Sequence, residues 1–280
     1  MSQMKFGFVL PWGDARTAAN LAREAELAGW DGFFVPEAIW HIDAWVALTA
    51  AALNTNRIRL GTMLSALPRM RPWKLASESA TLDNLSNGRV ILSLGMGALF
   101  MGYQAFPDEV TDLKTRAELL DEGIDLLNLL YQGKALDYKG HHYHLKLTAM
   151  DEQFYPPPPV QQPRIPLWVV GVWPRLRSMN RVLKCDGLIA EAMDADGQFI
   201  KLQPQHVRQM KAYIDDNRSA TSAFDIIVEG QTLGLGDAQM ADLLSPWTEA
   251  GATWWIETLF DVSFEELTNR LRQGPAAIYG

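Results

Sequence analysis

The sequence predicts a closed (β/α)8 barrel, in which eight parallel strands each lead into a helix. Eight apolar segments alternate with eight helical segments along the 280 residues, and this alternation is typical of a parallel sheet covered by helices. The strand segments are continuous apolar runs, as expected for strands buried on both faces. The chain length is also typical of such a barrel, so we predict a single domain spanning residues 1–280.

The first four strand–helix pairs follow in chain order. KFGFVL is the first strand, and Asp14 and Gly29 are suited to begin and end the helix after it. DGFFVP precedes the helical segment DAWVALTAAALNT. RIRLGTMLSAL precedes a helix over 72–85, which starts with a proline and is closed by SNG. RVILSLGMG precedes a helix over 113–131.

Two insertions interrupt the repeat. One follows strand four and contains MGYQAFPDEV, and the other follows helix four. The second contains YKGHHYHL, predicted to form a hairpin on the far side of the barrel from the strand ends, and a stiff PPPP loop at 156–159. Four more strands follow, each with its helix. IPLWVVG precedes a helix over 175–184, DGLIAEA one over 204–218, FDIIVEG one over 238–251, and TWWIETLF one over 263–274.

An open doubly wound sheet is the alternative architecture for this alternation. Eight strand–helix units favour closure of the ring. The glycines of GMG after strand four lack the third glycine and the early position of a dinucleotide-binding fingerprint.

Composition limits the classes of partner. A net charge of -8 and an isoelectric point near 5.2 argue against nucleic acid and anionic membranes. Cys185 is the single cysteine, so no disulfide framework is possible and we expect a cytoplasmic location, with Cys185 as a buried thiol. No segment has the length and apolar character expected of a signal peptide or a membrane span.

Carboxylates are predicted at the rim where the active site of such a barrel lies, at the carboxyl ends of the strands. Strands two, six, seven and eight end in Glu37, Glu191, Glu229 and Glu257. Acidic groups that share one rim shift each other's pKa and can hold a proton. The alternative is that some of them pair with arginines; the candidates are Arg69, Arg116 and Arg175.

Histidines offer two further candidates. His41, beside Trp40 in the loop after strand two, is suited to general acid–base chemistry, although a surface position is the alternative. His141, His142 and His144 have the spacing of possible metal ligands. Because the hairpin is expected on the far side of the barrel, we predict no metal site. The tryptophans, among them those at 168, 173, 254 and 255, are expected to be mostly core or rim packing.

The mouth of the barrel is predicted to suit a flat ligand. Gly95, Gly97 and Gly171 lie near the ends of strands four and five, where glycine lets a ligand approach the backbone. No nucleophile elbow, zinc-protease motif or P-loop occurs in the sequence.

Several long segments carry a resemblance to a known family. RIRLGTMLSALPRMRPWKLASESATLDNLSNGRVILSLGMGA, RAELLDEGIDLLNLLYQG, PPPPVQQPRIPLWVVGVWP, CDGLIAEA, EAGATWWIE and RLRQGP together resemble the luciferase-like flavin-dependent oxidoreductases and monooxygenases. The resemblance covers nearly the whole chain and implies the barrel fold with insertions. It implies FMN, or the deazaflavin coenzyme F-420, lying across the mouth.

The resemblance also implies positions for the cofactor. A non-prolyl cis peptide found in many members would fall at Met63–Leu64. The cofactor phosphate would be held by amides of Gly171, Val172 and Trp173, helped by Arg175 or Arg177. The complete predicted cofactor-binding set is Thr62, Met63, Leu64, Gly95, Met96, Gly97, Ala98, Gly171, Val172, Trp173 and Glu191.

Two departures favour FMN over the deazaflavin. Deazaflavin-dependent sugar-phosphate dehydrogenases of the family carry an Asp-His pair after strand two, where this chain has Glu37-Ala38. They also carry a glutamate after the glycines of strand four, where this chain has Ala98.

The resulting hypothesis is a monooxygenase that uses reduced FMN and O2 on a small organic substrate. Glu37, Trp40 and His41 are its predicted catalytic residues, with His41 or Glu37 as proton donor. Two alternatives remain open: a coenzyme F-420-dependent hydride-transfer enzyme, and a non-catalytic flavin-binding paralogue. A separate flavin reductase is an expected partner because no nicotinamide fingerprint is visible. Family members are commonly dimers, and helices two and three are the candidate interface because ALTAAAL is apolar and small.

Overall fold

A computed structural model describes residues 4–100 and 102–275. Met101 of the first insertion and the ends of the predicted domain, 1–3 and 276–280, lie outside the described residues. The strands are β1 (Lys5–Val9), β2 (Gly32–Glu37), β3 (Arg59–Ala66), β4 (Val90–Gly95), β5 (Leu136–Lys139), β6 (His144–Leu147), β7 (Leu167–Trp173), β8 (Gly187–Met193), β9 (Phe199–Ile200), β10 (Asp225–Gly230) and β11 (Trp254–Glu257). The helices are α1 (Ala15–Ala28), α2 (Ala44–Asn54), α3 (Pro72–Leu85), α4 (Leu113–Leu130), α5 (Leu176–Val182), α6 (Pro204–Asn217), α7 (Asp237–Ala250) and α8 (Phe264–Gln273).

Eight of these strands close into a parallel barrel, as predicted. Around the ring the order is β1, β2, β3, β4, β7, β8, β10 and β11. The ring closes because β10 pairs with β8, with Ile227 opposite Ile189, and β11 pairs with β1, with Trp255 opposite Phe6. A doubly wound sheet would leave two open edges, so that alternative is wrong.

Local sequence signals start and stop the helices where we expected. The Asp14 carboxylate accepts a hydrogen bond from the amide of Thr17 at 2.7 Å, and Gly29 ends α1 in the left-handed region at a φ of 94°. α3 begins at its proline, and Asn87 and Gly88 follow it with positive φ angles. These caps satisfy backbone groups that a helix end leaves unpaired.

The barrel interior is filled with side chains from all eight parallel strands. They form one buried cluster: Val9, Phe34, Met63, Ile91, Trp168, Ile189, Ile227, Trp254 and Ile256. The predicted packing role of Trp168 and Trp254 is therefore confirmed. The alternate residues of the strands face outward and join the larger cluster beneath the helices.

Phe34 lies at the centre of this interior cluster, in space provided by glycines. A Cβ built on Gly7, Gly32 or Gly61 would press against the Phe34 ring. On its other sides the ring lies 5.6 Å from the ring of Trp168 and 6.2 Å from that of Trp254. Large aromatic groups fit here because three neighbouring positions carry no side chain.

The two insertions occur where we predicted, but the second takes a different course. β5 and β6 form the antiparallel hairpin. Its turn packs against the first half of α4, and Tyr143 meets the ring of Trp73 at the start of α3 with 6.3 Å between ring centroids. These helix starts follow the carboxyl ends of the strands. The hairpin therefore folds back to the mouth end, and its predicted position on the far side is wrong.

Within the ranges that the structure describes, no helix is both long enough and apolar enough to cross a bilayer.

Gly61→Ala is expected to destabilise the barrel. The new methyl group would overlap the carbonyl oxygen of Ile91 and approach the Phe34 ring at 3.0 Å. Overpacking of this kind costs about 2–3 kcal/mol of unfolding free energy, measurable by urea unfolding. Gly236→Ala is the control, since its methyl group would meet only the side-chain oxygen of Gln239 at 3.9 Å. The control is expected to lose no more than about 1 kcal/mol, and equal losses in the two variants would contradict the packing argument.

Candidate active site

The candidate site is the mouth formed by the carboxyl ends of the parallel strands, where enzymes with this fold carry their chemistry. A cavity of about 530 Å³ also opens at the opposite end, and its lining includes Lys5, Arg59 and Asp225. There the Lys5 ammonium lies 3.9 Å from the Asp225 carboxylate, so the charges partly pair with each other. The amino ends of the strands usually serve stability, and the mouth remains the candidate.

The end of β3 departs from regular strand geometry. The peptide bond between Met63 and Leu64 is cis, which confirms the expectation drawn from the resemblance. The pairing registers with β2 and β4 both shift along this stretch. Irregularities of this kind are common beside active sites, where they re-aim side chains.

A chain of hydrogen bonds lies behind this strand end. Glu37 accepts from the indole nitrogen of Trp45 at 2.9 Å, and its other oxygen is bonded to the hydroxyl of Ser65. Ser65 bonds onward to the hydroxyl of Thr62 at 2.8 Å, and Thr62 donates to the backbone of Ser93 at 3.4 Å. Thr62 and Ser65 are fully buried. The chain thus ties the ends of β2, β3 and β4 together.

Burial raises the pKa of Glu37 to about 7. The hydrogen bonds from Ser65 and Trp45 lower it, whereas the charges of Glu78 and Asp43 add to the rise. Desolvation dominates because a carboxylate loses more hydration than two neutral donors replace.

An apolar shelf forms part of the mouth. A Cβ on Gly95 would press against the side chain of Leu64 and come within 3.3 Å of Val170. The side chains of Leu64 and Val170 therefore occupy the space that a side chain at position 95 would need, and only glycine fits there. We call Leu64, Gly95 and Val170 the shelf; it brings together two of the predicted cofactor-binding residues.

The loop after β4 is held by a buried arginine. Arg116 on α4 donates to the carbonyl oxygens of Met96 and Gly97, and its guanidinium lies 5.2 Å from the centre of the Tyr103 ring. Gly97 has a φ of 74° and packs directly beneath the Tyr103 hydroxyl. Met96 and Gly97 thus have a fixed backbone, and the half-buried Ala98 follows them.

The end of β7 is packed differently from our expectation for Gly171. A Cβ there would meet Leu188 and Val182, so this glycine serves the packing of β8 and α5. The amide of Val172 already donates to the hydroxyl of Ser178 at 3.1 Å. Trp173 is half-buried and packs near Tyr213, with 6.1 Å between ring centroids.

The two arginines suggested for the phosphate are exposed. Arg175 lies along the loop after β8, with its Nε 3.4 Å from the sulfur of Met193 and a terminal nitrogen 3.5 Å from the carbonyl oxygen of Asp194.

Glu191 and Glu229 face into the mouth from adjacent strands. Ile189 and Ile227 lie opposite each other inside the barrel, and two residues further along each strand the glutamates occupy the same inward positions. Solvent reaches the Glu229 side chain, yet protein atoms crowd its carboxyl group closely enough to desolvate it. Glu229 thus lies on the wall of an open mouth, where the surrounding protein atoms raise its pKa although solvent reaches the side chain.

This environment raises the pKa of both glutamates. Burial raises the pKa of Glu191. Burial and then the charge of Glu191 raise the pKa of Glu229 to about 7. Two carboxylates on neighbouring strands cannot both ionise cheaply, so Glu229 still holds a proton in part of the molecules near pH 7.

Glu257 has a structural position. It is fully buried, accepts from the amide and hydroxyl of Thr232 at 2.7 and 2.8 Å, and lies 3.7 Å from Arg270. We considered that some rim glutamates would pair with Arg69, Arg116 or Arg175. Glu257 does pair with an arginine, but the arginine is Arg270. Two of the arginines considered as partners for these glutamates bind elsewhere, since Arg69 pairs with Glu109 and Arg116 holds the loop after β4.

Trp40 and His41 lie on the loop after β2 and are exposed, Trp40 by 87%. Other loops at the same end carry exposed apolar side chains, and we call the group the apolar rim: Trp40, Phe100, Phe199, Ile200 and Phe260. Large exposed aromatic groups that surround an opening are typical of a binding surface for apolar molecules. Cys185, by contrast, is buried as expected, and burial raises the pKa of its thiol to about 12.

A family model described as luciferase-like monooxygenase matches residues 4–256. The chain belongs to this family. A putative coenzyme F-420-dependent oxidoreductase of Mycobacterium tuberculosis is 35% identical over 154 residues, which are 52% of this luciferase-like chain and 42% of that relative.

Two solved structures share the luciferase-like fold. An F-420-dependent secondary alcohol dehydrogenase in complex with an F-420–acetone adduct has a TM-score of 0.78 at 14% identity, with 100% of both chains covered. The oxygenating constituent of 3,6-diketocamphane monooxygenase of Pseudomonas putida, in complex with FMN, has a TM-score of 0.65 at 17% identity and covers 95% of this chain and 83% of its own. The relative and the alcohol dehydrogenase are named for coenzyme F-420, and the diketocamphane monooxygenase is in complex with FMN.

Sequence reasoning missed several residues that build the mouth. Ser65, Trp45 and Ser178 hold its carboxylate and amide groups, and Arg116 holds the loop after β4. Only Arg116 could have been noticed in the sequence, because it interrupts the apolar face of helix four. We considered it only as a partner for the glutamates.

Glu37→Gln is expected to remove a pH-dependent loss of stability. Because the native pKa of Glu37 is raised, the native state keeps a proton that the unfolded state releases as pH rises from about 4.5 to about 7. The unfolding free energy of the unsubstituted protein should therefore fall across this window relative to that of the variant, by about 3 kcal/mol. Urea unfolding at a series of pH values measures the difference. The exposed Glu249→Gln is the control, and a flat difference for Glu37→Gln would contradict the assignment.

Proposed function

We propose that this luciferase-like chain is a monooxygenase that uses reduced FMN and O2 on a small, apolar organic substrate. The observation that carries the proposal is the mouth itself, where an apolar shelf faces a pair of glutamates of raised pKa within a family of oxidoreductases. When bound, reduced FMN supplies the electrons that O2 accepts. The chain binds and orients the reactants, excludes water and holds a proton.

The residues of the mouth fit a flat ring system. The shelf offers an even apolar surface next to the backbone of Met63 and Met96. Ser93 lies one inward position below Gly95, and its buried hydroxyl has no hydrogen-bond partner among the described residues. We assign the ring to the shelf and the adjoining strand ends, including Thr62, Gly97, Ala98 and Glu191. We assign the phosphate to the end of β7 at Gly171, Val172 and Trp173, with the Ser178 hydroxyl as a further contact.

Glu229 is the residue that we assign as proton holder. With a pKa of about 7 its carboxyl group is protonated in roughly half of the molecules at neutral pH. It can therefore donate a proton to an oxygen atom at the mouth and recover it from solvent, which reaches its side chain. Glu37, the other glutamate of similar pKa, is tied to Trp45 and Ser65 and is better placed to support β3.

The apolar rim suggests the substrate class. Trp40, Phe199 and Phe260 present apolar surface to anything that enters the mouth. Aromatic groups of this kind also exclude water once a ligand packs on them. We propose that Trp40 and His41 contact the substrate and that His41 supplies a second exchangeable proton near the entrance.

Hydride transfer with coenzyme F-420 is the second candidate. It is favoured by the relative that is 35% identical and named for that coenzyme. FMN is favoured by Ala98 and by the Glu37-Ala38 pair, since the dehydrogenases of the family carry acidic and histidine side chains there. A flavin reductase as electron source, a cytoplasmic location and a homodimer remain predictions. For the dimer, Val46 and Leu53 leave apolar surface on the outer face of α2.

A parallel titration separates the cofactors. We expect FMN or reduced FMN to bind the purified chain more tightly than coenzyme F-420, as followed by fluorescence, because the Ala98 position lacks the acidic group of the deazaflavin enzymes. Bound reduced FMN should then consume O2. Tight binding of coenzyme F-420 alone would select the second candidate, whereas stoichiometric flavin without any reaction with O2 would select a non-catalytic flavin-binding protein.

Glu229→Gln is expected to abolish proton donation at the mouth. In the unsubstituted protein the rate at which O2 oxidises bound reduced FMN should fall as pH rises through about 7, because the carboxyl group loses its proton. The variant should lose this pH dependence and at least about 100-fold in rate at neutral pH, with its FMN affinity little changed. Stopped-flow absorbance measures the rates, and Glu249→Gln on the outer helix α7 is the control. A variant that keeps the step near pH 7 would show that another group donates.

A further inference from the structure

Three metal-ligating atoms converge where the hairpin turn meets α4. Nδ1 of His141 lies 3.2 Å from Nε2 of His142, and that Nε2 lies 3.0 Å from Oε2 of Glu118. The third side of the triangle, from His141 Nδ1 to Glu118 Oε2, is 3.8 Å. These are the only three His, Cys, Asp or Glu side chains that meet in this way among the described residues.

One ordinary two-centre hydrogen bond does not satisfy this arrangement. Nε2 of His142 has two close neighbours, and a ring nitrogen either donates one hydrogen or accepts with one lone pair. If it donates to Glu118, Nδ1 of His141 can share that hydrogen only as the second, weaker acceptor of a three-centre bond. If it accepts from His141, it has no hydrogen to offer to Glu118, and the lone pairs of the Glu118 oxygen and of Nε2 repel each other. A cation among the three atoms satisfies all of them at once.

The triangle has the size of a metal site. A circle through its three corners has a radius of about 2.0 Å, as the three measured sides dictate. In a tetrahedral site with bonds of ~2.0–2.1 Å, a circle through any three ligand atoms has a radius of about 1.9 Å. One ion can therefore lie at bonding distance from both nitrogens and the oxygen.

The ligands are held in place by neighbouring groups. Glu122, one helical turn beyond Glu118 on α4, accepts backbone hydrogen bonds from His141, His142 and Tyr143 at 2.7 to 3.2 Å. The other oxygen of Glu118 lies 3.7 Å from the ammonium group of Lys114. The bonds to Glu122 fix the turn before any ion arrives, which lowers the entropic cost of binding.

We propose that Glu118, His141 and His142 form a binding site for one divalent transition-metal ion of the zinc class. Two imidazoles and a carboxylate suit Zn²⁺ and its neighbours in the transition series rather than Mg²⁺ or Ca²⁺, which take oxygen ligands. His141 is largely exposed, so solvent supplies the fourth ligand. The site is separate from the shelf and from the Glu191–Glu229 pair.

The ion would clip the hairpin to α4 at the mouth end of the barrel. His142 and Tyr143 line a groove of about 590 Å³ together with Arg69, Arg71 and the segment 106–110 of the loop after β4. Fixing the hairpin therefore fixes one wall of this groove. The three ligands are not among the residues assigned to the cofactor, so the ion can bind whichever cofactor the chain uses.

The test is metal binding by the untagged, full-length chain after treatment with a chelator. Calorimetric titration with Zn²⁺ should show one ion per chain, and Co²⁺ should give the intense visible bands of tetrahedral coordination. Zn²⁺ should also raise the thermal unfolding midpoint. His142→Ala and Glu118→Gln should each weaken binding more than tenfold and abolish the cobalt bands.

His144→Ala is the matched control, because His144 belongs to the same hairpin and is exposed outside the triangle. It should bind like the unsubstituted chain. Circular dichroism of each variant without metal confirms that the fold is kept, and Glu118→Gln covers the case in which His142→Ala does not fold. The proposal fails if the unsubstituted chain does not bind Zn²⁺, if binding survives in Glu118→Gln, or if His144→Ala reduces it as much as the other changes.

Discussion

The contact between the Phe34 ring and the glycines around it is the constraint on which the molecule depends. Gly7, Gly32 and Gly61 leave space for one aromatic ring inside the barrel, and that ring packs against two tryptophans. Because interiors are close-packed, this arrangement fixes how near β1, β2 and β3 approach each other. The strand ends above, with the cis peptide and the shelf, take their positions from it.

Above this core the four rim glutamates have different surroundings, although the sequence presents them alike. Glu257 is paired with Arg270 and bonded to Thr232. Glu37 is half-buried and bonded to Ser65 of β3, whereas Glu191 and Glu229 face the mouth without such partners among the described residues. The same desolvation raises the pKa of Glu37 and Glu229 to about 7. Glu37 supports the end of β3, whereas Glu229 holds an exchangeable proton at the mouth.

The hairpin shows how an insertion can add chemistry to a barrel. Its turn is bound by Glu122 and returns to the mouth end, which brings two histidines to Glu118. The exposed ring of His141 and the open groove beside it place this junction next to the loops that would handle substrate. A barrel keeps its core unchanged while such attachments vary.

The amino-acid pattern was enough to predict the barrel, its helix boundaries, the two insertions, the buried thiol and the cis peptide at Met63–Leu64. These follow from local signals: apolar periodicity, caps, prolines and a family resemblance carried by long segments. The sequence did not show which glutamate faces the mouth, which side chains fill the space beside Gly171 or where the hairpin lies. Those facts depend on contacts between residues far apart in the chain, such as Glu118 with His142 or Glu257 with Arg270, which no local pattern encodes.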